Sequence, residues 1–339
     1  MAKKFILFTL SFWFITFQSE SYAQSIEEID EPMIIERSDE EVLDTVYVGA
    51  FINSFYDLDI VSKSFKTDLW LWFQYRRKEL DLNGKIEIAN SKEYSINNLS
   101  LDKTKGLEWF GFRCRAEIMK DWNVQNFPFD RQELDVVVES QEFDTSAIIL
   151  LPDIKNSSID NQFKFTDWTI NSFQMQKINR IYNSTFGDLE ISGNSVYPAV
   201  KIGLQIKRKG SWLMLFKLIT GVIIAFLISS SVFFINPMNT DPRFGLCVGG
   251  LFAAVGNKYI IEGIIPASSS NTLLDNIHNT TFVFIFLIIV LSIISLRFRE
   301  SGEEKKENIS KKVDKWSFIL TSIAFYSLML LFIFRAYNA

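Results

Sequence analysis

Residues 127–132 read Phe-Pro-Phe-Asp-Arg-Gln, and this short stretch limits the possible folds more than any other part of the chain. A proline between two aromatic residues, followed by aspartate, predicts a rigid turn, because proline fixes its own φ angle and aspartate favours turns. The turn lies in a segment with the alternating pattern of strands, ahead of four long apolar runs. This combination predicts a membrane protein with a folded domain outside the bilayer.

Composition excludes several classes of protein. The chain has 339 residues, 48% apolar and 15% aromatic, which is typical of a protein in contact with lipid. With a net charge of −5, no strongly basic surface is expected for nucleic acid or anionic lipid. Cys114 and Cys247 are not expected to form a disulfide, because the second lies inside an apolar run. With one histidine and no Cys/His cluster, neither a metal site nor a cofactor is predicted.

The first 23 residues have the pattern of a secretory signal peptide. Two lysines precede the apolar stretch 5–17, and Ser21-Tyr22-Ala23 has the small residues of a cleavage site. The alternative is an uncleaved membrane anchor, for which the apolar stretch is short. Residues 24–44 are rich in Asp and Glu and are expected to form a solvated acidic lead-in.

Residues 45–209 are predicted to form an all-β, immunoglobulin-like sandwich outside the membrane. Apolar and polar residues alternate over 67–75 and 200–207, as in strands with one buried face. Two further strands are predicted over 134–139 and 168–173. Short strands separated by polar turns are typical of antiparallel sandwiches.

Residues 210–339 are predicted to form an all-α domain with four membrane spans. Each apolar stretch is long enough to cross a bilayer as a helix. These stretches are 212–235, 244–265, 273–296 and 316–334. Seven lysines and arginines lie between the last two, which assigns the loop 297–315 to the cytoplasm. An even number of spans then leaves the β domain and the C-terminus on the outer side.

The second span differs from the others because it contains five glycines, an asparagine and two charged residues. Ionisable groups facing lipid are costly, so this helix is expected to face protein or water. Steps of three or four residues place six residues on one helical face: Asp241, Gly245, Gly249, Phe252, Gly256 and Tyr259.

Two interpretations of that face remain open. If several copies surround an axis, Phe252 forms an apolar constriction and Asp241 an acidic ring that favours cations. Alternatively, Gly245 and Gly249 form a small-xxx-small packing face that lines nothing. In either case Lys258 can pair with Glu262 along the helix.

Together these features resemble the pentameric ligand-gated ion channels, or Cys-loop receptors. Residues 127–132 are similar to the FPFDxQ turn of that family, and Trp72-Phe73-Gln74-Tyr75-Arg76 to its W-x-D-x-R strand, with glutamine in place of aspartate. Residues 207–209 are similar to the basic link into the first span. Where animal members have cysteines flanking the turn, this chain has Lys120 and Leu134, so it resembles the bacterial type that lacks the Cys-loop disulfide.

The chain also departs from the family pattern. Gly221 stands where the first helix usually has a proline, and Phe252 where the gate residue is usually aliphatic. Gly245 and Gly249 replace the usual serine or threonine near the inner end of the pore helix. The segment between Arg76 and Phe127 lacks a W-x-P motif. These differences concern conduction and the ligand site more than the fold.

The resemblance implies a homopentamer in the bacterial inner membrane. Its other partners are the lipid bilayer, permeant cations and a small periplasmic ligand or ion that opens a cation-selective channel. The ligand is expected between subunits, against aromatic side chains suited to a cation or a small amphipathic molecule. The candidates are Phe143, Tyr182, Phe186 and Tyr197, with Trp72 from the neighbouring subunit. Each of them can instead be an ordinary core aromatic.

The same resemblance places the turn where the two domains couple. Asp130 is expected to pair with Arg208 or Lys209, which would hold its carboxylate ionised. The coupling candidates are Phe127, Pro128, Asp130, Arg208, Lys209 and Pro266. A purely structural turn is the alternative.

Two other functions compete with a conducting channel. A channel-like receptor that binds ligand without conducting is compatible with the glycine- and aromatic-lined face. A membrane enzyme or transporter has little support, because the sequence has no nucleophile motif, no Gly-rich phosphate loop and no inverted repeat of apolar segments. The chain is therefore not expected to be an enzyme.

Overall fold

The computed structural model describes residues 43–77, 79–104, 106–187, 193–265 and 270–339. The predicted signal peptide, nearly all of the acidic lead-in, and Pro266 lie outside the described residues.

Within this part of the chain, ten strands form two facing sheets. The strands are Asp44–Asp59 (β1), Ser64–Tyr75 (β2), Ile86–Ile88 (β3), Ser91–Thr104 (β4), Leu107–Met119 (β5), Arg131–Ser140 (β6), Ile148–Pro152 (β7), Ser158–Ile159 (β8), Trp168–Tyr182 (β9) and Ser195–Arg208 (β10). One sheet has the order β4-β5-β2-β1-β7, with β8 also on β1, and the other has the order β3-β6-β10-β9. Strands β7 and β8 run parallel to β1, and the other pairs are antiparallel.

Alternation along each strand builds the core between the sheets. In β2, Leu69, Leu71 and Phe73 are buried, whereas Trp70 and Trp72 on the opposite face remain partly exposed. The buried residues join one apolar cluster with those of the second sheet, such as Val136 and Ile202. Each such side chain contributes roughly 1.5–3 kcal/mol of burial free energy. The four strands that the alternation predicts lie within β2, β6, β9 and β10.

Four helices follow the sandwich: Ser211–Ser230 (α1), Thr240–Glu262 (α2), Leu273–Glu300 (α3) and Glu304–Asn338 (α4). A short 3₁₀ turn, Ser231–Phe234, extends α1. By length and composition, all four are apolar enough to cross a membrane. The predicted fold, a β-sandwich followed by four apolar helices, is confirmed.

The structure differs from the expectation of a loop over residues 297–315. Helix α3 continues to Glu300 and α4 begins at Glu304, so a three-residue link separates them. The charges that indicated a loop belong to Lys, Glu and Arg, which are all good helix formers. Lys311 also pairs with Glu307 one turn earlier, at 3.1 Å. The chain turns at Gly302, whose φ of 69° suits glycine.

Candidate functional site

Three of the predicted ligand-binding aromatics meet at the β9–β10 hairpin. The ring centroid of Tyr182 lies 5.4 Å from that of Phe186 and 5.9 Å from that of Tyr197, and the latter two are 6.2 Å apart. All three pairs have edge-to-face geometry, which is favourable for aromatic rings. Phe186 is 63% exposed, so this aromatic cluster presents an open face beside the hairpin.

A buried carboxylate, Glu139, anchors the aromatic cluster from β6. The Tyr182 hydroxyl donates a hydrogen bond to it at 3.0 Å, and Arg180 Nη1 donates another at 2.8 Å. Burial raises the pKa of Glu139, although the hydrogen bonds from Tyr182 and Arg180 oppose the rise. Burial and the bond to Glu139 raise the pKa of Tyr182 to about 12.

Arg180 already occupies one face of the aromatic cluster. Its guanidinium carbon lies 5.0 Å from the Tyr182 ring centroid, within cation–π range. Arg180 was not predicted to be a site residue. The available signal was its spacing, since residues 180 and 182 of a strand share one face.

Among the described residues, the other two ligand candidates make no aromatic ring contact with this cluster. Phe143 follows β6 and has the Lys85 ammonium 4.9 Å from its ring centroid. Trp72 belongs to the other sheet, where its indole lies across Gly49 and its Nε1–H donates to Asp153 at 3.2 Å. Whether a neighbouring subunit brings Trp72 to the cluster stays a prediction.

The Phe127–Asp130 turn lies at the junction of sandwich and helices. Asp130 is buried and accepts two hydrogen bonds from Arg208, from Nε at 3.0 Å and from Nη2 at 3.1 Å. Gln132 Nε2 donates a third at 2.9 Å. The Arg208 guanidinium also stacks on Trp168, 4.1 Å from the ring centroid, and on Phe127, at 4.8 Å. A bidentate pair of this kind is short, oriented and hard to replace.

Lys209, the other cation considered for Asp130, points elsewhere. Its Nζ donates to the Phe165 carbonyl at 2.8 Å. Residues 208 and 209 are adjacent at the end of a strand, where consecutive side chains point to opposite sides.

Aromatic and backbone contacts tie the turn to the helices. The Phe129 ring lies 4.9 Å from that of Trp212 at the start of α1 and 5.5 Å from that of Tyr337 near the end of α4. Leu273 N–H donates to the Gln125 carbonyl at 2.8 Å, and Gln125 Nε2 donates to Ser270 Oγ at 2.8 Å. The loop before the turn therefore contacts the segment that begins α3.

All six predicted pore-facing residues of α2 are exposed in the single chain. Phe252 is 71% and Tyr259 77% exposed, and a Cβ built on Gly245, Gly249 or Gly256 would meet nothing within 4 Å. Gly245 and Gly249 therefore have open space beside them within one chain, and whether they line a pore or pack against another subunit stays a prediction.

The opposite face of α2 packs against its own chain, mainly through Cys247, Gly250 and Ala254. A Cβ on Gly250 would lie 2.0 Å from Ser229 Oγ and 2.7 Å from the Ala225 carbonyl of α1. The close contact between α2 and α1 is therefore made at Gly250 and not at Gly249. At Gly221, the departure from the family pattern, a Cβ would lie 2.7 Å from Asn257 Oδ1.

Polar residues of α2 are paired at both ends of the helix. Lys258 lies 3.8 Å from Glu262, as anticipated, and 4.0 Å from Asp275 of α3. At the other end Arg243 is 1% exposed, and its Nη2 donates to Asp314 of α4 at 2.5 Å while its Nε donates to the Val232 carbonyl. The Arg243–Asp314 pair was not predicted from the sequence.

The two cysteines are separate and buried. Burial raises the pKa of Cys114 to about 12, so its thiol is unreactive at neutral pH. Across the described ranges, no group of three metal-binding side chains comes together.

Comparison with known proteins gives homology over more than half of the chain. No family model matches. The chain is 23% identical over 195 residues to neuronal acetylcholine receptor subunit alpha-9 of Gallus gallus, covering 58% of this chain and 37% of the relative. It is 26% identical over 194 residues to subunit alpha-5 of Rattus norvegicus, covering 57% of this chain and 40% of the relative. The matched region is thus less than half of each relative.

A β-sandwich followed by four apolar helices, with this homology, confirms the resemblance to the pentameric ligand-gated ion channel family. More particularly, this chain is a multi-pass membrane protein homologous to acetylcholine receptor subunits, which are receptor channels and not enzymes.

Proposed function

We propose that the chain forms a homopentameric, cation-selective channel opened by a small ligand or ion. The observation that carries the proposal is the uncovered face of α2. It holds Asp241 at one end, three glycines open to space, and the exposed rings of Phe252 and Tyr259. Exposed aromatic rings between glycines make a poor packing surface within one chain. Around a shared axis, the glycines would line the wide parts of a pore and Phe252 would form its apolar constriction.

Cation flux from liposomes tests this proposal without knowledge of the ligand. Purified wild type is compared with Phe252→Ala, which removes the constriction, and with Phe286→Ala. Phe286 lies on α3 and is 67% exposed, so it provides the same truncation away from the proposed axis. The expected result is raised flux in Phe252→Ala alone. Equal flux from the two variants contradicts a gate at Phe252.

The proposed ligand site is the aromatic cluster of Tyr182, Phe186 and Tyr197. Its open rings suit a cationic or small amphipathic ligand. Because Arg180 already neutralises Glu139 at 2.8 Å, the ligand is expected to bind through the rings more than through this carboxylate. Trp72 of a neighbour and Phe143 complete the proposed site.

Coupling from this site to the helices is proposed through Phe127, Pro128, Asp130 and Arg208. Lys209 and Pro266 are also kept as coupling candidates, although Pro266 is outside the described residues. Asp130–Arg208 joins the turn to the strand that leads into α1, and Phe129 packs on α1 and α4. A displacement of β10 is therefore transmitted to the helices through the buried Asp130–Arg208 pair and the packing of Phe129. The proposed location is the bacterial inner membrane, with the sandwich and the C-terminus outside.

A non-conducting receptor is the second candidate, favoured by the glycine and aromatic composition of the α2 face. Liposome flux separates the two. Absence of flux from wild type and Phe252→Ala, with both variants folded and oligomeric, supports the non-conducting receptor.

A further inference from the structure

Two of the rings proposed for ligand binding already carry a cation from their own chain. The Lys85 ammonium lies 4.9 Å from the centroid of the Phe143 ring, and the Arg180 guanidinium carbon lies 5.0 Å from that of Tyr182. Both distances are within the range of cation–π attraction. A cationic ligand would seek the same ring faces, so these two protein cations affect which ligands can bind.

Lys85 is held over the ring by contacts at both ends of the residue. Its Nζ pairs with Oε1 of Glu142, the residue before Phe143, at 3.0 Å. Its carbonyl accepts from Gln141 N–H at 2.8 Å, which fixes the backbone beside the same segment. An ammonium shared between a carboxylate and an aromatic face has two favourable interactions in one position.

The segment that carries Phe143 is attached to the strands of the aromatic cluster. Phe143 N–H donates to Ser140 Oγ at 2.9 Å, next to Glu139 on β6. Thr145 N–H donates to the Val196 carbonyl at 3.0 Å, next to Tyr197 on β10. Lys85 and Phe143 therefore belong to the surroundings of the proposed ligand site.

The two protein cations differ in how easily a ligand could displace them. Arg180 pairs with Glu139, whose side chain is 2% exposed, so its removal would leave a buried carboxylate without a partner. Lys85 pairs with Glu142, whose side chain is 57% exposed, so water can solvate that carboxylate when the lysine moves away. Arg180 is thus a fixed part of the site, whereas Lys85 is a displaceable competitor.

We propose that Lys85 is a specificity-determining residue of the ligand site, because its ammonium occupies the face of Phe143 that an organic ammonium ligand would use. Such a ligand must either displace Lys85 or bind beside a like charge. A neutral amphipathic ligand packs against the remaining rings without this cost, so the site favours that class. This inference rests on the ligand site proposed above.

Tetramethylammonium, titrated calorimetrically into the purified oligomer at constant ionic strength, tests the proposal. The test variant is Lys85→Gln, which removes the ammonium and keeps most of the side chain; Lys85→Met repeats the test with an apolar end. The control is Lys66→Gln, because Lys66 also forms a 3.0 Å pair with an exposed carboxylate, that of Asp57. Within the described part of the chain, Lys66 has no cation–π contact.

We expect both Lys85 variants to bind tetramethylammonium about 2- to 30-fold more tightly than wild type, the range that one cation–π contact gives. Lys66→Gln is expected to keep the wild-type affinity. In a Phe143→Leu background, Lys85→Gln is expected to give no gain, because the ring that the ligand would use is absent.

Three outcomes overturn the proposal. Equal affinity of wild type and both Lys85 variants shows that the lysine does not compete. An equal gain in Lys66→Gln shows an effect of net charge alone, and so does a gain that persists in Phe143→Leu. Failure of the ligand site itself is measured separately with Tyr197→Leu in the Lys85→Gln background. Unchanged affinity there contradicts the aromatic cluster, whereas a gain that depends on Phe143 still supports competition by Lys85.

Discussion

Replacing Gly250 by alanine tests the rotational phase of α2, on which the proposed pore face depends. The added Cβ would lie 2.0 Å from Ser229 Oγ and 2.7 Å from the Ala225 carbonyl oxygen. Ser229 can change rotamer, but the carbonyl belongs to the backbone of α1 and can be relieved only by moving the helices apart. Such overpacking costs about 1–3 kcal/mol, which the helix propensity of alanine offsets by up to about 1 kcal/mol.

The matched control is Gly249→Ala, one residue earlier on the same helix. Nothing lies within 4 Å of a Cβ at Gly249, so this substitution keeps the propensity gain without a clash. Thermal unfolding of the purified oligomer in detergent, followed by tryptophan fluorescence, is expected to give a midpoint a few degrees lower for Gly250→Ala. Gly249→Ala is expected to unfold at or above the wild-type midpoint.

A further variant, Gly250→Ala with Ser229→Ala, relieves the shorter contact and is expected to recover part of the loss. Full recovery would mean that the Ala225 carbonyl does not constrain the site. The reverse ranking, with Gly249→Ala the destabilised variant, would refute the phase of α2 and with it the assignment of Phe252 to an open face.

Two further substitutions test the sandwich and its junction. Asp130→Asn breaks a buried pair and is expected to cost about 3–5 kcal/mol, because Arg208 is left uncompensated. Asp121→Asn, at an exposed ion pair, is the control and should leave the thermal midpoint unchanged; similar midpoints for both variants would contradict the prediction. At Glu139, burial raises the pKa above 4.5, so the native state holds its proton more tightly than the unfolded state. Wild-type stability is therefore expected to fall as pH rises from about 4.5 through the raised pKa, and Glu139→Gln should lack this component. Superimposable profiles of thermal midpoint against pH for wild type and Glu139→Gln would contradict this prediction.

The sequence predicted the strands, and it grouped six residues of α2 on one helical face, because both patterns depend on short periods. Alternation over two residues placed Leu69 and Leu71 in the core, and steps of three and four residues grouped Gly249 with Phe252. These patterns are local, so one chain without relatives is sufficient to read them.

Such local patterns could not predict contacts between residues that are distant in sequence. The sequence left the partner of Asp130 open between two adjacent cations. In the structure Arg208 donates to Asp130, whereas Lys209 donates to the Phe165 carbonyl. Glu139 and Arg180 lie on β6 and β9 and meet across β10, so their contact depends on the strand order of the sheet. Local sequence contains no information on that order.

Two buried Arg–Asp pairs fix the helices at opposite ends. Asp130–Arg208 holds the strand leading into α1 against the turn, and Arg243–Asp314 holds the start of α2 against α4. A buried pair adds little net stability, but a mispaired alternative leaves a charge buried alone at a cost of several kcal/mol. Arg243 also lies on the same face of α2 as Gly250, whose contact with α1 permits one rotation of the helix. The rotation that satisfies Arg243 and the rotation that fits Gly250 are the same, and it leaves Phe252 on the uncovered side.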